Sequence, residues 1–336
     1  MKETHNHFRP QLILRHALCG ALLAGFCWGA ICEPPESPLD RGVELFQNRQ
    51  FSDAQTVFSS LKDQPRAQFF LGRLAFLERN LETAEDWFSQ AAKGAPKESE
   101  FHFWLARTYG ALALDGNALG RSLSARRSRV HFERAVELDP NHLEARYGLL
   151  RFHLIAPRML GGNHQEAIRQ AKAIAAMDTY SGQLAWAAIH EKNEDWATAE
   201  KAYRRAIELR PTESDGVLRW VWLLQSQGRF ETAFSVLGDF LQHHPKHPKA
   251  LYELGRTSAF SGLQTERGKS ALQSYLGYSP VGTEPTLALA HFHLGMIHRH
   301  EQLNASAATA FRKALVLDPN LEEARRNLQE TESAAP

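Results

Sequence analysis

One ladder of residues restricts what this chain can become more than anything else in it. Counting from Gly72, an alanine follows at twelve residues (Ala84), an aromatic at sixteen (Phe88), an alanine at nineteen (Ala91) and a proline at twenty-four (Pro96). The same spacing recurs at Ala187, Ala199, Tyr203, Ala206 and Pro211, and again at Gly295, Ala307, Phe311, Ala314 and Pro319. Two antiparallel helices approach closely only where both carry small residues, so Gly or Ala marks the first helix of a hairpin and Ala the second. The aromatic fills the seam between hairpins, and the proline stops the second helix because it cannot continue one. A period of this length describes a stacked array rather than a single globule.

Weaker copies extend the array. Gly42, Ala54 and Phe58 form one, with the closing Pro65 a place early, and Val221, Ala233, Leu237 and Pro245 form another. Gly255 opens a unit that needs one extra residue before Gly268, Leu272, Tyr275 and Pro280. Two units carry insertions between their helices: ten residues between Ala106 and Phe132, and about seven between Gly148 and Ala167. The count is eight repeats, two of them irregular. From Asn320 to about Glu330, Leu321, Ala324 and Leu328 share one face and charges cover the rest, the pattern of a helix that closes the open end of a solenoid.

Period and residue types together resemble the tetratricopeptide-repeat (TPR) family. The resemblance implies an all-α fold, a right-handed α-solenoid of about eight helix hairpins with a C-terminal capping helix. The expected organisation is a leader over 1–32, an extended mature start at 33–38, the array over 39–319 and the cap and tail over 320–336, with the last six residues frayed.

The N-terminus is built differently. Lys2, Arg9 and Arg15 precede an apolar run from Ala17 to Ile31 that no charge interrupts, the layout of a secretory signal peptide. The run is about 15 residues, short of the roughly 20 needed to span a bilayer, so removal is expected over retention as an anchor. Cleavage is expected after Cys32, with cleavage after Gly29 as the second choice. Neither Cys32 nor Cys27 has an aliphatic residue three places before it of the kind a lipid-acceptor cysteine needs; Gly29 and Ala24 stand there. Cys19, Cys27 and Cys32 are the only cysteines, so the mature chain owes nothing to disulfides, in keeping with export to a bacterial periplasm or beyond. Losing the leader takes three basic residues and Glu3 from a chain of 39 basic and 38 acidic residues and leaves it close to neutral. Capture of nucleic acid or an anionic membrane by a broad charged face is therefore disfavoured.

The insertions contain Leu114-Asp-Gly-Asn-Ala-Leu-Gly120 followed by Arg121, Arg126, Arg127 and Arg129, and then Ile155-Ala-Pro-Arg-Met-Leu-Gly-Gly-Asn163. Both resemble segments of a subset of bacterial exported TPR proteins in which a long second helix is followed by an "APxxxGG" turn. Insertions at equivalent turns project from one face, often a binding face. Arg126, Arg127 and Arg129 accordingly read either as a solvated helix surface or as a docking patch for an acidic partner or anionic envelope polymer.

Catalysis requires a nucleophile, a base and orienting groups in fixed relation. No HExxH, CxxC, GxSxG or GxGxxG occurs, and Gly262 to Ser270, which looks like a phosphate loop, has five residues between its glycines and no preceding strand. No enzyme, cofactor or metal is expected. His291, His293, His298 and His300 share a helix, but His291 and His298 stand about 10 Å apart along its axis at 1.5 Å per residue. His243, His244 and His247 sit at a proline-containing turn. Chelation within a helix needs spacings of three or four, which the helix lacks. The alternative reading is a metal-binding or enzymatic periplasmic protein that uses these C-terminal histidines.

In TPR arrays the first helices line a concave groove where partners bind, and the resemblance implies the same here. The residue after each small one, with that four before it, gives the expected lining: Phe69 and Arg73, Phe103 and Arg107, Leu218 and Trp222, Tyr252 and Arg256, Phe292 and Met296. Aromatics and arginines are enriched at binding hot spots; Phe103 and Phe292 also suit packing between helices. The Lys and Asn with which some relatives grip chaperone C-termini are absent at these points. The expectation is a protein or peptide partner in the groove and no nucleic acid.

Overall fold

Each marked segment folds as a pair of helices. The structure, a computed structural model, describes residues 37–115, 118–282 and 284–333; the expected leader and most of the mature start lie outside them. The hairpins are α1 (Pro38–Gln47) with α2 (Phe51–Ser60), α3 (Pro65–Leu77) with α4 (Leu81–Gly94), α5 (Ser99–Asp115) with α6 (Ala118–Leu138), and α7 (Leu143–Ile155) with α8 (His164–Met177). Then come α9 (Thr179–Lys192) with α10 (Trp196–Leu209), α11 (Ser214–Ser226) with α12 (Phe230–His243), α13 (Pro248–Ser261) with α14 (Thr265–Leu276), and α15 (Leu287–His300) with α16 (Asn304–Leu317). The cap is α17 (Glu322–Ser333), and among the described residues there is no strand.

The small residues sit where the ladder requires them. A β-carbon on Gly72 would lie 2.7 Å from the Phe88 ring, one on Gly295 2.4 Å from Phe311, and one on Gly255 2.2 Å from Leu272. Phe58, Phe88 and Phe311 are fully buried, and the alanines opposite, Ala54, Ala84 and Ala307, are sealed as well. Second helices begin on side-chain caps where the sequence supplies them: Asn80 accepts from the Thr83 N–H, Asp195 from Thr198 and Asn163 from Gln165. These contacts satisfy donors that the first helical turn leaves unpaired.

The insertions are more ordered than loops. The first lengthens α5 and α6 into a tall hairpin, and the second forms a 3-10 turn at Arg158–Leu160. There Gly161 has φ +102°, and a β-carbon on Gly162 would overlap the Ala156 carbonyl oxygen. The cap differs in detail from its expected face: Ala324, Asn327 and Thr331 are the buried residues, with Leu321 and Leu328 at the margin. Helix persists through Ser333 rather than fraying from 331, because the buried Thr331 hydroxyl donates to the Asn327 carbonyl at 2.7 Å. Pro38, expected in the extended start, is the first residue of α1.

A third insertion lies between α14 and α15. Residues 277–282 and 284–286 form a strap organised by Glu284, whose carboxylate accepts from the Val281 N–H at 2.8 Å and from the Tyr278 hydroxyl at 3.0 Å. The strap joins the seventh and eighth hairpins to the first two. The Gly282 N–H donates to the Leu77 carbonyl at 3.1 Å, Arg79 Nε donates to the Gly282 carbonyl at 3.0 Å, and Arg49 donates to the Tyr278 hydroxyl and the Ser279 carbonyl, each at 2.9 Å. Arg49 and Arg79 occupy the same turn of successive hairpins, both in the left-handed region at φ +59° and +62°. Replacing both by Gly keeps the turn and removes the strap's partners. Exposed hydrogen bonds are each worth about 1 kcal/mol or less, so losing these three is expected to lower stability by no more than about 3 kcal/mol. Hydrogen exchange at 277–286 and the radius of gyration are expected to rise together; unchanged scattering would show that the strap does not hold the array's ends.

Candidate partner-binding groove

The groove residues expected from the ladder separate into three groups. Phe69, Phe103 and Tyr252 are buried at 6%, 7% and 4% exposure and offer no face to a partner. Phe69 stacks on Phe101, Phe103 packs on Trp104 and Phe132, and Tyr252 accepts or donates at 3.0 Å to His293. Each lies on the side of its helix that meets the neighbouring hairpin, so packing claims it. Leu218 is likewise buried, and Phe292 is half-buried against Phe311.

Arginines form the second group. Arg256 donates to Gln225 Oε1 at 2.9 Å and to the buried Glu253 carboxylate at 3.1 Å, so its fork is turned inward. Arg73 and Arg107 lie over aromatic rings instead. In the tall hairpin Arg127 pairs with Glu85 at 3.4 Å and covers Tyr109, while Arg129 pairs with Glu133 at 2.9 Å beneath Gly161. Those two arginines brace the insertions against the array; Arg126 is exposed.

Trp222 stands alone in the third group, 49% exposed on α11. It borders a cavity of about 420 Å³ walled by the first helices α7, α9 and α11, with Trp196 and Tyr203 from α10. Arg151, Lys192 and Arg219 converge there from three hairpins, and Ile155 exposes its side chain at the rim. On the floor, the Tyr203 hydroxyl donates to Glu191 at 2.6 Å. Burial raises the Glu191 pKa against the opposing pull of that hydrogen bond and of Arg151 and Arg219, and burial beside Glu191 raises that of Tyr203. Arg219 lies over the Tyr147 ring at 4.7 Å and donates to its hydroxyl. The site is therefore basic and aromatic at its mouth and carries one half-buried acid. The ladder pointed to Trp222 but missed Arg151, Lys192, Arg219 and Trp196, which come together only because three hairpins curve around one space.

The C-terminal histidines are spread among separate tasks. His293 is buried against Tyr252 and Phe260, and burial pushes its pKa down to about 3. His300 Nε2 lies 2.9 Å from the Ala259 carbonyl, His298 sits 3.5 Å from Glu301, and His247 accepts from the Ala250 N–H at the start of α13. Among the described residues no three His, Cys, Asp or Glu side chains gather as metal ligands.

Stacked helix hairpins define the class of an all-α helical-repeat protein. Residues 39–99 match the family model described as tetratricopeptide repeat. The fold is similar to the Cut9–Hcn1 hetero-tetramer of APC/C, at 14% identity over 88% of this chain and TM-score 0.48. The chain spans 55% of the length of that protein. It is also similar to a tetratricopeptide repeat protein from Parabacteroides merdae, at 14% identity, 88% and 98% coverage and TM-score 0.46. PilW, a widely conserved type IV pilus biogenesis factor, shows 18% identity, 68% and 98% coverage and TM-score 0.47. The sequence matches no curated protein. Among the described residues no helix is long and apolar enough to cross a membrane.

Proposed function

We propose that this chain is an exported, non-catalytic scaffold that holds an extended peptide, or a tail of a partner subunit of a cell-envelope complex, in the groove around Trp222. The export part rests on the charged start and apolar run of residues 2–31 and on a mature sequence without cysteine. The holding part rests above all on one observation: an indole left half exposed beside a cavity with three cationic side chains around it. Leaving so much aromatic surface in water forgoes burial worth roughly 25 cal/mol per Å², which a partner's apolar side chain recovers. Trp and Arg are also the residue types that most often dominate binding energy.

The test is capture from a periplasmic extract with the wild-type chain and with Trp222→Ala as baits. Truncating a hot-spot tryptophan costs about 2 kcal/mol or more, so a specific partner is expected to be retained at least tenfold less by the variant. Folding should be unaffected, since the indole is half in water. An identical catch from both baits would remove Trp222 from the binding surface.

A further inference from the structure

Arg73 and Arg107 are thirty-four residues apart and occupy the same position on α3 and α5. Their guanidinium carbons lie 4.5 and 4.3 Å from the centroid of one indole, Trp104. Phe46 flanks Arg73 at 4.8 Å and Phe76 flanks Arg107 at 5.3 Å, so aromatic faces hold both forks in place. Orientation of this kind leaves the donors of the guanidinium plane free to act together.

Those donors have no partner of their own. Among the described residues neither arginine makes a hydrogen bond or an ion pair, and Arg73 Nε is buried without an acceptor. A buried donor left unpaired calls for an explanation. Burial lowers the pKa of both arginines, and the charge of Arg107 lowers that of Arg73 further. One carboxylate, Glu100, acts on both from a distance, but it already accepts from Trp104 Nε1 at 2.8 Å and contacts His142 at 3.1 Å. Hydrogen bonds to Glu100 and Glu144 outweigh burial and push His142 up to about 9, so it is cationic at neutral pH. Three cations thus face two carboxylates. At the corresponding place on α13, Arg256 has Glu253 three residues before it and is paired; Arg73 and Arg107 have Phe70 and Trp104 there and are not.

From this contrast we infer that Arg73 and Arg107, spread on Trp104, form a carboxylate-receiving site for an acidic peptide segment. The inference rests on the reading of the array as a peptide-holding groove and gives that groove a second anchor, apart from the Trp222 cavity. A carboxylate accepts from planar guanidinium forks in the bidentate manner that makes such pairs strong and specific. The excess charge is local and set between aromatic walls in a chain that is otherwise near neutral, which suits a side chain or terminal carboxylate of a peptide rather than the extended surface of an anionic membrane.

The probes are a peptide alternating Glu with Leu, the same peptide with Gln for Glu, inorganic phosphate, and phosphatidylglycerol vesicles, each titrated calorimetrically into the full chain. The Glu peptide is expected to bind at least tenfold more tightly than the Gln peptide, and its affinity to fall with added salt. Arg73→Gln and Arg107→Gln should each weaken the Glu peptide about tenfold or more with helical content retained, and Arg107→Lys should weaken it less. Trp222→Ala should keep the preference for Glu over Gln, which separates failure of this site from failure of the Trp222 reading. Equal binding of the two peptides, or full affinity in both glutamine variants, would overturn the inference. Phosphate or vesicles bound as tightly as the Glu peptide, with the same loss in the variants, would overturn its assignment to a peptide.

Discussion

Gly148→Val is expected to lower the unfolding free energy by about 3 kcal/mol, against a gain of about 0.5–1 kcal/mol for Gly110→Ala two helices earlier. Both glycines lie inside helices, where glycine is unfavourable by about that amount relative to alanine. Packing decides the sign. A β-carbon at 148 would fall 2.3 Å from Phe132 Cε1 and 2.4 Å from Cζ, and the Phe132 ring is itself buried against Phe103. Neither α6 nor α7 yields without moving a hairpin, and overpacking of this kind costs about 1–3 kcal/mol, more for a β-branched side chain with two γ-carbons. At Gly110 the added carbon meets only Ser128 Oγ at 3.4 Å, an ordinary contact. Urea titration followed by helical signal reads both effects. A Gly148→Val midpoint equal to wild type would mean that the third and fourth hairpins do not cross so closely. The position is sensitive because Leu149 belongs to the N-terminal core cluster and Leu150 to the next, so α7 joins the two.

The same crossings explain what was legible in advance. A helix pair that touches backbone to ring tolerates only Gly or Ala, so the sequence displays the contact, and Gly42, Gly72, Gly255 and Gly295 are each found against the residue sixteen or seventeen places on. Facing is less visible. Counting three back from the small residue reaches Phe69, Phe103 and Tyr252, which share its side of the helix and follow it into the seam. Trp222, one place after Val221, turns away and stays exposed. The strap was hidden for a different reason. Forty residues separate Gly255 from Gly295, and once one extra residue is placed before Gly268 the rest of the excess falls after α14, where the ladder has no marked position. Its partners Arg49 and Arg79 lie more than two hundred residues away, and no local pattern couples them to Tyr278 or Gly282. One signal was present and unread: the residue three before each groove arginine, acidic for Arg256 and aromatic for Arg73 and Arg107, separates the paired arginine from the unpaired ones.

That difference leads to the other large effect. Arg256→Met is expected to destabilise the array by about 3–5 kcal/mol, the usual consequence of removing one member of a buried ion pair. Glu253 is 5% exposed, and beyond Arg256 its carboxylate has the side-chain amide of the buried Gln225 at 3.2 Å. Gln225 also donates to the sealed Thr257 hydroxyl at 2.8 Å, which donates onward to the Glu253 carbonyl at 2.6 Å, so four side chains of α11 and α13 form one network. Without Arg256 a carboxylate is stranded among groups that cannot neutralise it. Glu253→Gln added to Arg256→Met removes that charge and is expected to recover most of the loss, because replacing both partners is far less costly than removing one. Arg107→Gln strands no carboxylate, since Glu100 keeps Trp104 and His142, and relieves repulsion with Arg73. Its cost, the loss of the stack on Trp104 and Phe76, is expected to stay below about 2 kcal/mol. Denaturant titrations of the three variants therefore assign roles to arginines that occupy one repeat position: a large loss in Arg256→Met rescued by the second substitution marks an arginine spent on the fold. If Arg256→Met matched Arg107→Gln, the inward pair would not support α11 against α13, and Arg256 would rejoin the groove.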